Sequence, residues 1–97
     1  MATFVALVSF TEQGVQAIEH TVDRATAFEK AVAQAGGKVR DLFWTLGRYD
    51  GVIVFDAPNA ETATAIELSL ARKGNVHTQT LPAFDKAQMP GILGKMT

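Results

Sequence analysis

"KVRDLFWTLGRYDGVIVFDA", residues Lys38 to Ala57, decides the fold. Two runs rich in β-branched and aromatic residues, Lys38 to Leu46 and Gly51 to Ala57, flank a short "GRYD" connection, which is the sequence form of a β-hairpin. Gly47 accepts the positive φ that such a turn asks for, so the two runs pair antiparallel. In the second run Val52 and Val54 point one way, Ile53 and Phe55 the other. In the first, alternation puts Val39 and Phe43 on one side, and Leu42, Trp44 and Leu46 on the other. Both sheet faces therefore carry apolar side chains. A face that met only water would be polar, so both are expected to be covered.

Working outward, Thr3 to Phe10 ("TFVALVSF") reads as a strand, and the polar "TEQG" after it leads into a helix. Val15, Ile18, Val22, Ala25, Phe28, Val32 and Ala35 recur at spacings of three and four, which places them on one helical stripe. Thr21, followed by Asp23, suits the start of a second helical segment and predicts a kink near His20. Gly36 and Gly37 end the helix. Pro58 closes the third strand, and Asn59 is the N-cap of a helix through Lys73 that buries Ala63, Ile66 and Leu70. Leu68 lies about 200° around that helix from Ile66 and marks a second contact surface. Val76 to Phe84 forms the last strand. Asp85 to Thr97 is a C-terminal tail whose Met89, Ile92, Leu93 and Met96 suit docking on a neighbouring subunit, although chain ends are loose by default.

The order is strand, helix, strand, strand, helix, strand. It predicts an α+β fold of ferredoxin-like βαββαβ type: one antiparallel four-stranded sheet with both helices on one face. The bare face then needs a cover, most simply a second copy of the same sheet. Two sheets facing each other form a dimeric α+β barrel, whose lumen has room for a small ligand.

Composition bounds the rest. The 97 residues form a single domain, because a second core would have too little apolar surface. With 47% hydrophobic residues and 20% charge the chain is an ordinary globular protein. Nine Lys plus Arg against ten Asp plus Glu leave a net charge of −1, so nucleic acid and membrane surfaces are not expected partners. The absence of cysteine excludes disulfides, thiolate nucleophiles and cysteine-held metal centres. No signal-like start and no run of about 20 apolar residues is present, which points to the cytoplasm. No cofactor is expected, since neither G-x-G-x-x-G nor G-x-x-x-x-G-K-[ST] occurs. Ser9 and Ser69 lie outside any G-x-S-x-G elbow.

Gly47-Arg48-Tyr49-Asp50, with Trp44 and Thr45 before it, Ala57-Pro58-Asn59 after it and Gly74 to Leu81 ("GNVHTQTL") further on, resembles the GYD family. The resemblance runs from "FTEQG" at Phe10 through Phe84. It implies a small stand-alone domain of ferredoxin-like, dimeric α+β barrel type. Asp56 stands where that family often has Glu, and His77 where Arg is common. The family has no settled activity; related barrels include cofactor-free monooxygenases, haem-degrading enzymes and stress-associated proteins.

Candidate site residues follow from chemistry. Tyr49 and Asp50 form a candidate acid–base or hydrogen-bonding pair at the rim of the lumen; the alternative is that Asp50 accepts hydrogen bonds from turn amides and Tyr49 packs on the next strand. Histidine as a residue type changes charge near neutral pH, which makes His77 a candidate base, with Gln79 two residues on and leaving the same face. A metal at a lone His lacks further ligands, so none is expected. His20 and Asp23 are spaced to pair on a polar helix face. Trp44, with Phe43, Phe55 and Phe4, is a candidate wall for an aromatic ligand, and Arg48 a candidate clamp for a carboxylate. Three readings stand: an oligomeric barrel that binds a small apolar or aromatic ligand, a cofactor-independent monooxygenase or isomerase using His77 or Asp50 as base, and a purely structural assembly module.

Overall fold

Strand β1 (Ala2–Phe10) is followed by a short helix α1 (Glu12–Gln16), a single 3₁₀ turn (Ile18–His20) and helix α2 (Thr21–Gln34) in a computed structural model that describes all 97 residues. Strands β2 (Lys38–Trp44) and β3 (Gly51–Ala57), helix α3 (Ala60–Ala71), strand β4 (Val76–Ala83) and a short helix α4 (Met89–Leu93) complete the chain. The fold is α+β, with four strands in the order β2-β3-β1-β4 and every neighbouring pair antiparallel.

Helices α2 and α3 cover one face of the sheet. Phe4, Ala6 and Val8 of β1 and Ile53, Phe55 and Ala57 of β3 meet Phe28 and Val32 of α2 and Ala63 and Ile66 of α3. Phe55 is the centre of this core: its ring is 5.7 Å from that of Phe4 and meets Phe28 edge-on at 5.5 Å. Asn59 caps α3 as its residue type predicts, its side chain accepting from the Thr62 amide at 2.8 Å.

Three expectations are corrected. The expected kink is present, as a break at Ala17 (φ −107°, ψ 36°) and a 3₁₀ turn ending at His20, with α2 starting at Thr21, but the single buried stripe is not: Val15, Ile18 and Val22 are exposed, and only the stripe from Phe28 onward meets the core. Thr21 is not a cap; its hydroxyl accepts a 2.9 Å bond from the Trp44 indole instead. In β2 a bulge at Arg40 carries the register from Val39↔Phe55 to Asp41↔Val54. The extra residue reverses the alternation, so Val39, Leu42 and Trp44 share the helix side while Phe43 points to the open side. Leu46 lies beyond the strand, fully exposed.

The start of α1 is fastened to the turn before β4. Thr11 caps α1 by accepting from the Gly14 amide (3.1 Å) and donates to the Gly74 carbonyl (2.6 Å). Its own amide donates to the Asn75 carbonyl (3.0 Å). Gln13 reaches the Lys73 carbonyl and the Asn75 side chain, both at 3.0 Å. A Cβ on Gly14 would overlap the Asn75 carbonyl, so this crossing is closed to any other residue without backbone movement. Thus "FTEQG" and "KGN", 60 residues apart, form one structural joint.

Candidate functional site

The "GRYD" connection is clamped at both ends. The Thr45 amide donates to the Asp50 carbonyl (2.9 Å) and the Thr45 hydroxyl to the Tyr49 carbonyl (2.7 Å), which closes the loop. Gly47 supplies the bend, with φ at +128°. The Asp50 amide donates to the Val8 carbonyl (2.7 Å), and its carboxylate accepts from the Phe10 amide (2.8 Å). Asp50 therefore ties the hairpin to the end of β1. Tyr49 donates from its hydroxyl to the Gln79 side chain on β4 (3.0 Å), and the Arg48 guanidinium lies 5.8 Å from the centre of the Tyr49 ring.

Strand register arranges the face away from the helices in rows. One reads Asp41–Val54–Val5–Leu81, the next Phe43–Val52–Leu7–Gln79. Polar rows flank them: Lys38–Asp56–Thr3–Ala83 at one end and Ser9–His77 at the other. Asp56 accepts from the Thr3 hydroxyl (2.7 Å) and lies 3.5 Å from Arg40 Nε, which fixes the bulged residue. The centre of this face is apolar, and neither helix reaches it.

The sequence-nominated residues separate on this frame. His77, Gln79 and Tyr49 gather at one corner of the open face. Phe55 is fully buried under the helices together with Phe4, where neither reaches the open face. Trp44 faces the helix side, beside a crevice of about 60 Å³ that it shares with Phe28, Leu42 and Asp50. That volume is well below the roughly 150 Å³ known to admit benzene. His20 and Asp23 pair at 3.6 Å on an exposed helix end. No three of His, Asp and Glu converge in a way that would hold a metal ion.

One residue passed over in the sequence stands out. Glu67 is buried on α3, and burial pushes its carboxyl above the usual range; the Thr78 and Thr80 hydroxyls beside it partly offset this, though no hydrogen bond to either is completed. The signal was present: Glu67 follows Ala63 by four and precedes Leu70 by three, on the very stripe that α3 buries.

A family model described as the GYD domain matches residues 4–93. The chain belongs to the GYD-domain family. Among its relatives, a Thermus thermophilus protein named glutamine synthetase and cystathionine beta-lyase binding protein is 31% identical over 90 residues, covering 92% of this chain and 95% of the relative. Two solved structures share the fold. TTHA0845, also from Thermus thermophilus, aligns at a TM-score of 0.55 with 22% identity, over 88% of this chain and 95% of that one. FFRP-DM1 aligns at 0.57 with 17% identity, over 87% of this chain and all of that one. Within the matched residues, Asp50 of the Gly47-Arg48-Tyr49-Asp50 connection is the hairpin clasp. No helix of this GYD-domain chain is long and apolar enough to cross a membrane.

Proposed function

We propose that this GYD-domain protein is a protein-binding module that works as a homodimer of ferredoxin-like domains, with two sheets facing each other as an α+β barrel. The observation that carries the reading is the open sheet face, whose two central rows hold Phe43, Val52, Leu7, Val54, Val5 and Leu81 between polar ends. Apolar centres with polar rims are the anatomy of protein interfaces. Four strands at about 4.8 Å spacing, with some seven residues each at about 3.3 Å, give a face of roughly 19 by 23 Å, about 440 Å² in projection on each copy, which is the small end of the range for a specific interface. An interface of this kind is self-complementary: the acidic Asp41 edge and the His77–Gln79 edge exchange places under a two-fold axis.

Protein binding is favoured over small-ligand binding because Trp44 and Phe55, the residues nominated to hold an aromatic ligand, both face away from the would-be lumen. The relative's name, a binder of glutamine synthetase and cystathionine beta-lyase, supports the same class of role. The test has two parts. Sedimentation velocity of the wild type should give a dimer or a multiple of it, and Val5→Lys with Val54→Asp should give a folded monomer. Purified glutamine synthetase and cystathionine β-lyase from the same source would then be passed over the immobilised protein. A wild-type monomer at micromolar concentration removes the barrel, and absence of binding to either enzyme removes the proposed partners.

A further inference from the structure

Glu67 sits in the wall of a cleft between α3 and β4. The cleft has a volume of about 430 Å³, with Phe4, Ala63, Leu68, Ala71 and Pro82 as its apolar walls. Glu67 is only 7% exposed, and neither carboxyl oxygen has a hydrogen-bond partner; the Thr80 hydroxyl close by has none either. No Lys or Arg lines the cleft, and His77, which borders it on the β4 edge, belongs to the row on the opposite face of the sheet. The Thr78 and Thr80 hydroxyls stand beside the carboxyl and favour its charged form, but no bond to either is completed, so the buried group is left short of hydrogen-bond partners, which is costly.

We propose that this cleft binds a primary ammonium group carried on a short aliphatic stem. An ammonium offers three N–H donors, and three unpartnered oxygen atoms, two from Glu67 and one from Thr80, are available to accept them. The cation neutralises the carboxylate, the hydroxyl completes its shell, and the stem lies along Ala63, Leu68 and Ala71. A modest turn of the Glu67 carboxyl about its side-chain torsions brings its oxygens to the cleft, since the terminal torsion of glutamate is broad. A free amine and a lysine on another protein present the same ammonium, and the chemistry of recognition is shared. The site lies on the helix side of the sheet, so it does not depend on the dimer.

The experiment is an NMR titration of the full chain with pentylamine, using pentanol as the uncharged control and Nα-acetyl-lysine methylamide as the lysine mimic. Pentylamine should shift the amides of residues 63–71 and 76–81 saturably with a millimolar Kd, while pentanol leaves them in place. Glu67→Gln should weaken binding by about tenfold or more, because it keeps the shape and removes the charge. In the wild type, bound amine should lower the midpoint of the Glu67 carboxyl ¹³C titration, a readout that needs no variant. Thr80→Val, which keeps the packing, should weaken binding as well. Tighter binding of the lysine mimic than of pentylamine assigns the site to a partner's lysine; the reverse assigns it to a free amine. Absence of saturable shifts up to about 100 mM, equal shifts from pentanol, or an unmoved Glu67 midpoint overturns the proposal. Sedimentation of the same samples reports the dimer separately, so one reading can fail while the other stands.

Discussion

Asp50→Ala tests whether the hairpin aspartate is a clasp or a reacting group. Its carboxylate accepts one amide bond, from Phe10 at 2.8 Å, while its backbone bonds to Val8 and Thr45 survive the substitution. A hydrogen bond to a charged acceptor contributes about 1.5–3 kcal/mol, and partial burial places this one near the lower end, at about 2 kcal/mol. For a domain of this size each kcal/mol moves Tm by about 4–8 °C, so Asp50→Ala should melt about 8–16 °C lower. Asp50→Asn retains an acceptor without the charge and should lose about half as much. Calorimetry at matched protein concentration is the assay, because the Tm of an oligomer depends on concentration. Hydrogen exchange at the Phe10 amide locates the effect, and it should quicken in the Ala variant alone among the β1 amides. An Asp50→Ala protein that melts like the wild type refutes the clasp and returns Asp50 to the candidate reacting groups.

Phe55→Ala should cost about 3–5 kcal/mol in urea unfolding, because the ring is fully enclosed between Phe4 and Phe28; a loss below about 1 kcal/mol contradicts the core placement. Gly14→Ala forces a methyl group against the Asn75 carbonyl and should cost about 1–3 kcal/mol or more, with faster exchange at the Thr11 amide; wild-type stability would mean that the joint between α1 and β4 is loose. The raised Glu67 carboxyl makes the folded chain bind a proton more tightly than the unfolded chain. Stability from this group is therefore greatest below the unfolded value near 4.5 and falls as pH rises through the folded value. Glu67→Gln should flatten the acid-side slope, because it removes the group whose proton the folded chain holds more tightly; a slope unchanged in Glu67→Gln contradicts the burial.

The elements of this fold were legible in the amino-acid order alone. Short runs rich in β-branched and aromatic residues mark the strands, Asn59 its helix start, and Gly47 the hairpin, because each depends on neighbours a few residues away. The apolar character of both sheet faces was legible too, since residues alternating along β3 need no knowledge of their partners. Which face each β2 residue joins became plain only in three dimensions, for one bulged residue at Arg40 reverses every side chain beyond it, and apolar residues on both faces of β2 hide that shift in the sequence. The same holds for Asp50: its partner, the Phe10 amide, is 40 residues away, and only the antiparallel pairing of β1 with β3 brings the two together. Glu67 shows the division within one residue. Its place on the buried stripe of α3 was written in the spacing, but whether burial would supply a partner depended on which side chains β4 presents, and those are two threonines that leave its oxygens unpaired.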